Sequence, residues 1–448
     1  MSYSSYPGYK DSDVNWLGDI PTDWFTAKLK RAANLITGVT PPSDDLDNYS
    51  EDGWPWVTPD DLDEAGKPIT ASKYVTQQGW GYCRPVKPGA TLVCCIGSIG
   101  KVGFSNRVIS TNQQITALEP ACHPRFLFYC MNAAKPELDQ EATGNVLRIL
   151  NAERLGNLSL ALPSSKEQTQ IARFLDHQTA RIDALIAEQQ RLIELLKEKR
   201  QAAISHAVTK GLDPDVVMKD SGVEWVGEVP EHWNVPAIKR LSVVQRGASP
   251  RPIDDPVYFE EEGEYGWVRI ADVSASSGYL ESTTQTLSAL GSSLSVKLEP
   301  GALFVSIAGT VGKPCITNIK ACIHDGFVYF PELAINSKFL YYIFESELCY
   351  KGLGKLGTQL NLNTETIGGI KIGLPPDSEI EDIVGYLEKR LSQIDEMSDQ
   401  ARATVELMEE RRSALISAAV TGKIDVRDWE PPVSETFPQS TASEEAPA

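Results

Sequence analysis

The residues of this sequence that could do chemistry stand in spacings that catalysis does not use. Two glycine-lysine loops, Gly97-Ser98-Ile99-Gly100-Lys101 and Gly309-Thr310-Val311-Gly312-Lys313, resemble phosphate cradles. A nucleotide-binding loop needs G-x-x-x-x-G-K-[ST], and neither stretch has that spacing. The eight cysteines form no C-x-x-C pair and the five histidines no H-x-x-x-H, so neither zinc nor a metal-activated water is expected. No G-x-S-x-G or H-E-x-x-H is present. The [ND]-P-P-[YF] tetrapeptide of amino-methyltransferases is missing too, the nearest stretch being T-P-P-S at Thr40. No catalytic residue and no metal ligand is expected, and the thiols read as small buried hydrophobes.

Whatever the polar residues do must then be done by presentation on a scaffold. The chain has 448 residues, enough for two or three domains, and a net charge of -19. That balance disfavours a general polyanion binder, although a basic strip of limited area suffices for one defined site. No run approaches the ~18 apolar residues of a membrane span, and the N-terminus lacks a signal pattern, so a cytoplasmic protein is expected.

The scaffold is written twice. Val14–Arg31, VNWLGDIPTDWFTAKLKR, returns as VEWVGEVPEHWNVPAIKR at Val223–Arg240. WVTPDDL from Trp56 is echoed by WVRIADV from Trp267, and PGATLVCCIGSIGK from Pro88 by PGALFVSIAGTVGK from Pro300. The repeat closes with LPSSKEQTQIARFLDHQTARID from Leu162 and LPPDSEIEDIVGYLEKRLSQID from Leu374. The offset drifts only from 209 to 212, as expected of a duplicated domain. Short β-branched and aromatic runs bounded by Gly, Pro and Asn predict strands in each front part, with a few helices between them.

Each copy ends in a long helix. Ser164–Thr209 lacks Gly and Pro and carries Ile171, Leu185 and Leu192 on one heptad row, with Leu175, Ile182 and Leu196 on the other. Asp377–Thr421 repeats the pattern with Ile383, Leu387, Ile394, Met397, Met408 and Leu415, although Arg390, Ala401, Thr404 and Arg411 weaken its rows. Helices of roughly 65 to 70 Å must bury such stripes, and antiparallel packing on each other satisfies the connectivity. The expected architecture is α+β: two mixed α/β domains (1–163 and 213–375) separated by an antiparallel coiled coil (164–212 and 376–423) with pseudo-two-fold symmetry. A disordered tail is expected over 424–448.

Two similar but non-identical surfaces on a fixed spacer suit a linear polymer such as DNA. The repeated V-x-W-x-G-x-x-P-x-x-W openings, the P-G-x-L/F-V to G-x-x-G-K segments and the helix from LPSSKEQ to AVTKGLDPDV resemble the specificity subunit of Type I DNA restriction-modification systems, from Val14 to Lys423. The resemblance implies two target recognition domains, each reading half of a bipartite double-stranded DNA site. It implies helices that set the spacing and dock two methyltransferase subunits, with a restriction subunit joining in some systems. S-adenosylmethionine and adenine methylation belong to those partners, and this chain does no chemistry. The alternatives are a coiled-coil adaptor that binds only proteins, or an enzyme of another type working between the copies.

Framework should be shared between two readers and the reading side chains should differ. On that logic Trp16, Trp24, Trp225 and Trp233 are packing anchors. The candidate DNA contacts in the first copy are Ser98, Lys101, Arg107 and the run Thr111, Asn112, Gln113, Gln114, which faces Ile323-His324-Asp325-Gly326 in the second. The second copy supplies Arg246, Arg251, Arg269, Thr310, Lys313, His324 and Asp325, whereas TGVTPPSD in the first has no Arg. Ile186, Ile193 and Leu195, beside the heptad rows, are the candidate partner contacts.

Overall fold

In a computed structural model, residues 3–144, 147–351, 353, 355, 356, 359, 360 and 362–432 are described. The chain forms two compact units, Met1–Gln190 with Arg402–Ala448, and Arg191–Ala401. The division falls inside both long helices, because each half of a helix is buried with its own unit.

In the first unit an antiparallel sheet runs in the order Ala33–Thr37, Ile115–Pro120, Thr91–Cys94, Val102–Phe104. Its central strand, TLVC, is buried on both faces. Alternation sends Val93 to the cluster around the helix Pro124–Ala133, and Leu92 and Cys94 to a second cluster with Val57 and Ile109. The second sheet runs Ser110–Thr111, Trp54–Val57, Tyr74–Val75, Tyr49–Ser50, its first pair parallel with Thr111 opposite Val57.

The second unit repeats both sheets in the same order. One runs Gln245–Arg246, Phe327–Tyr329, Leu303–Ser306, Pro314–Thr317 and gains Tyr279–Leu280 at its end. The other centres on the parallel pair Tyr265–Val268 and Ala321–Ile323, with Trp267 opposite Cys322. Leu303 and Val305 face one cluster and Phe304 the other, the alternation of Leu92, Val93 and Cys94 again. The repeat in sequence is therefore a repeat of architecture.

The long helices span Ser165–Lys210 and Asp377–Val420. Ser164 starts the first, its hydroxyl accepting from Glu167 N at 3.3 Å. Gly211 and Gly422 end the two helices at φ +75° and +73°, a conformation that side chains rarely adopt. In the first unit Ile171, Phe174 and Leu175 share a core with Ile416, Ala419 and Val420. Gln170 reaches the carbonyl of Val426 and Asp183 pairs with Arg412 at 2.8 Å, so the two segments run antiparallel there. In the second unit Arg200 meets Asp395 at 3.3 Å, and Ile204, Ala207 and Val208 share a core with Ile380, Ile383 and Val384. Farther along, Gly211 lies against Glu379, which makes this pairing antiparallel as well.

The seam differs in detail from strict heptads. Leu185 is 45% exposed and Met397 49% exposed, although both lie on the predicted rows, while Ile186 is half-buried. The departure belongs to one row: Ile182 and Leu196, one and three heptads after Leu175, stay buried, so the contact line follows their row and leaves Leu185 outside it.

The expected tail also starts too early. Val426 is buried in the first unit's core, and Asp425 N donates to Ser4 O at 2.8 Å. Trp429 packs edge-on against Phe174 with ring centroids 5.2 Å apart. Two large apolar side chains within IDVRDW outweigh the polar composition around them. The remainder of the expected tail, 433–448, lies outside the described residues.

Candidate nucleic-acid interface

The tryptophans belong to the framework. Trp24 and Trp233 are 1% and 0% exposed, and each indole N–H donates at 3.1 Å to the carboxylate that opens a long helix, Glu167 or Glu379. Tyr6 donates to the same Glu167 oxygen at 2.7 Å. Trp16 and Trp225 are half-buried against the two cores. Glu167 and Glu379 were not singled out from the sequence, yet both are Glu at the repeat offset of 212, which was the available signal. The same holds for the acids that tie each domain helix to its long helix. Arg125 pairs with Asp176 at 2.6 Å in one unit and Lys338 with Glu388 in the other.

The glycine-lysine loops are turns. Gly97 and Gly100 have φ of +81° and +74°, and Gly309 and Gly312 have +66° and +90°. Glycine is retained in both copies because the turn demands it. Lys101 Nζ donates to Pro59 O at 2.7 Å, and Lys313 Nζ to Ser274 O at 3.1 Å and Ser276 O at 3.0 Å. Both ammonium groups thus tie their loop to the segment that follows the repeated Trp-Val strand. Ser98 and Thr310 are exposed at the loop tips, Thr310 bonding to Ser274, and Arg107 is exposed on a separate turn.

The divergent run after the short strand divides sharply. Thr111 and Asn112 are buried, so neither can meet a base edge as it stands. Asn112 donates to the Gln114 side-chain carbonyl at 2.8 Å and accepts from Gln114 N at 3.1 Å, which spends the Asn112 amide and the Gln114 carbonyl on holding the loop. Gln113 is exposed, and its carbonyl accepts from the Thr40 hydroxyl.

The second unit builds the same crossing with other side chains. Val39 N donates to Thr111 O at 2.9 Å, and Ala248 N to Ile323 O at 3.1 Å. Gly38 and Gly247 precede these bonds, and a Cβ on either would fall 2.2 Å from the carbonyl oxygen of Asn112 or His324. Only glycine lets the strands cross there. Where the first unit has Thr40 on Gln113, the second has Ser249 donating to Asp325 at 3.4 Å. Arg246 donates to Asp325 O, and Arg251 lies 3.4 Å from the Asp325 carboxylate. Arg246, Arg251, His324 and Asp325 are therefore brought together by the fold.

His324 sits between Trp267 and Phe327, with ring centroids 5.8 and 4.6 Å away. Burial pushes its pKa below the ordinary imidazole value, against a smaller opposing pull from Asp325. Its Nδ1 accepts from Gly326 N at 2.8 Å, which places the proton of the neutral ring on Nε2 as a donor. Arg269 lines an open cleft of about 880 Å³ with Trp267, Phe259 and Gln285, bonding to the Gln285 side chain.

Of the candidate partner contacts, Leu195 is 51% exposed, while Ile186 and Ile193 are half-buried. Among the described residues no group of three or more His, Cys, Asp or Glu is placed to hold a metal ion. No described helix is long and apolar enough to cross a membrane.

Comparison with known proteins places this geometry among relatives. A family model described as the Type I restriction modification DNA specificity domain matches residues 21–195 and again 230–407. The MjaVIII Type I restriction enzyme specificity subunit of Methanocaldococcus jannaschii is 24% identical over 436 residues, covering 91% of this chain and 95% of that one. The EcoBI specificity subunit of Escherichia coli is 24% identical over 243 residues, covering 53% of this chain and 50% of its own. Among solved structures, a chain from work on assembly and conformational transition of the type I R-M system superposes with a TM-score of 0.71 at 15% identity, covering 90% of this chain and 98% of its own. The HsdS subunit of Thermoanaerobacter tengcongensis gives 0.51 at 16% identity, with the same coverage of 90% and 98%. These last two likenesses concern the fold.

Proposed function

Because the chain belongs to the family of Type I restriction-modification DNA specificity proteins, its role is DNA target recognition, and we propose that each unit reads one half of a bipartite, asymmetric site. The observation that supports this reading is the crossing at Gly38 and Gly247. The backbone is the same in both units, while the side chain upon it is an exposed amide, Gln113, in one and a half-buried carboxylate, Asp325, in the other. An amide pairs with adenine N6 and N7 in the major groove, and a carboxylate accepts from cytosine N4. One scaffold can thereby read two different sequences.

The chain contributes recognition and leaves chemistry to its partners. Two methyltransferase subunits holding S-adenosylmethionine would transfer the methyl group to adenine, and a restriction subunit would join them in the cytoplasm. The apolar residues Leu195, Ile186 and Ile193 support a docking role for the first long helix. The adaptor reading gains nothing from the divergence at the crossing, since a protein-only spacer has no need of two different polar edges. Exchanging residues 14–161 for the matching domain of a relative tests the proposal. Sequencing of methylated adenines in cells carrying the partner subunits should show one half-site replaced and the other retained; change in both halves would defeat it.

A further inference from the structure

The first unit looked poorer in arginine at its reading edge than the second, because Arg246 aligns with Thr37 and TGVTPPSD offers no replacement. Folding supplies one from another segment. Arg84 Nη1 donates at 3.1 Å to the carbonyl of Thr37, the residue immediately before the glycine of the crossing. Arg246 occupies the matching place before Gly247 and turns its own guanidinium onto Asp325 O. In the aligned repeat Arg84 corresponds to Val296, a strand residue of the second unit, so comparison of the copies conceals the equivalence.

We infer that Arg84 is a specificity-determining DNA contact of the first unit, a through-space counterpart of Arg246. Three observations converge on it. Arg84 is exposed, and among the described residues its bond to Thr37 O is its one hydrogen bond, which leaves most of its five N–H donors to face a ligand. The bond anchors the guanidinium at the end of the strand Ala33–Thr37, which leads directly into Gly38 and Thr40, and Thr40 holds Gln113. Third, the second unit brings Arg246 and Arg251 to its crossing, and Arg84, from a different position in the chain, supplies a guanidinium at the residue that precedes the crossing glycine of the first. The guanidinium at Thr37 offers donors for guanine O6 and N7, and the Gln113 amide held by Thr40 is suited to adenine.

The inference rests on the DNA-reading role proposed above, and the experiment separates the two. The wild-type chain in complex with its methyltransferase partners is assayed first; absence of sequence-specific methylation there would defeat the DNA-reading role itself. Given a specific site, Arg84→Ala, Arg84→Lys and Arg246→Ala are compared by methylated-adenine sequencing and by competition binding against single-base variants at two salt concentrations. Lysine can keep one bond to Thr37 O but cannot form a bidentate pair, so it guards against a simple loss of folding. Both Arg84 variants should lose about ten- to a hundredfold discrimination at one base of one half-site, with the other half-site unchanged. Arg246→Ala should do the same in the opposite half. A uniform weakening across all sequences with a shallower salt dependence would make Arg84 a phosphate contact and overturn the inference. Unchanged discrimination in Arg84→Lys, or relaxation in both halves, would overturn it as well.

Discussion

Replacing Glu167 with alanine removes one carboxylate oxygen from two buried donors at once. Trp24 Nε1 at 3.1 Å and the Tyr6 hydroxyl at 2.7 Å both point at that oxygen. A hydrogen bond to a charged group contributes about 1.5–3 kcal/mol, and a buried donor left without a partner costs about 1–3 kcal/mol. Glu167 is itself half-buried, so water can partly replace it, and the expected loss is about 2–4 kcal/mol rather than the full sum. Glu379→Ala strands only the Trp233 indole, since its other partner, His232, is exposed and can turn to water; about 1–2 kcal/mol is expected. Glu167→Gln keeps an acceptor and should fall below Glu167→Ala. A chain of two units need not unfold in one step, so hydrogen exchange resolved by unit is the suitable measurement. Trp24→Phe combined with Glu167→Ala should cost less than the two separate losses together, because the removed bond is counted in both. A Glu167→Ala protein within about 0.5 kcal/mol of wild type would refute the anchoring argument, the expected minimum being about 2. So would a Trp24→Phe protein of unchanged stability that methylates a different half-site, because the indole would then be reading DNA.

Two further outcomes follow from the geometry. Lys101→Ala and Lys313→Ala should each loosen a loop by about 1 kcal/mol and leave the salt dependence of DNA binding unchanged, since their ammonium groups serve the chain's own carbonyls; a shallower salt slope would restore them as phosphate contacts. His324 has a folded-state pKa below its unfolded value of about 6.5, so between the two the unfolded chain binds a proton that the folded chain does not. Its contribution to the second unit's stability is full above that value and is lost as pH falls, and His324→Asn should flatten the decline seen by hydrogen exchange between about pH 7.5 and 5.5; a wild-type unit that gains stability on acidification relative to the variant would contradict the burial argument.

The duplication, the extent of both long helices and the identity of the framework were legible in the residues themselves. Helix periodicity and strand alternation are local properties, and a second copy doubles the evidence for every position that must be kept. The tryptophans and the loop glycines could be assigned to packing and turns for that reason, and the buried indoles and positive φ angles agree. The heptad rows were legible in part: Leu175, Ile182 and Leu196 stay buried along one row while Leu185 of the other is exposed, because packing between segments decides which row is covered. Which polar residues reach the reading edge was decided by tertiary structure. Thr111, Asn112, Gln113 and Gln114 are neighbours of similar chemistry in sequence, yet burial removes the first two and the Asn112 amide engages the carbonyl of the fourth. Arg84 arrives at the crossing from another part of the chain, and Lys101 turns inward to a carbonyl. Side-chain direction at a strand crossing depends on contacts between segments distant in sequence, so no local pattern records it. Alignment of the two copies pairs positions along the chain, whereas a DNA base would meet whatever guanidinium the fold delivers to that place.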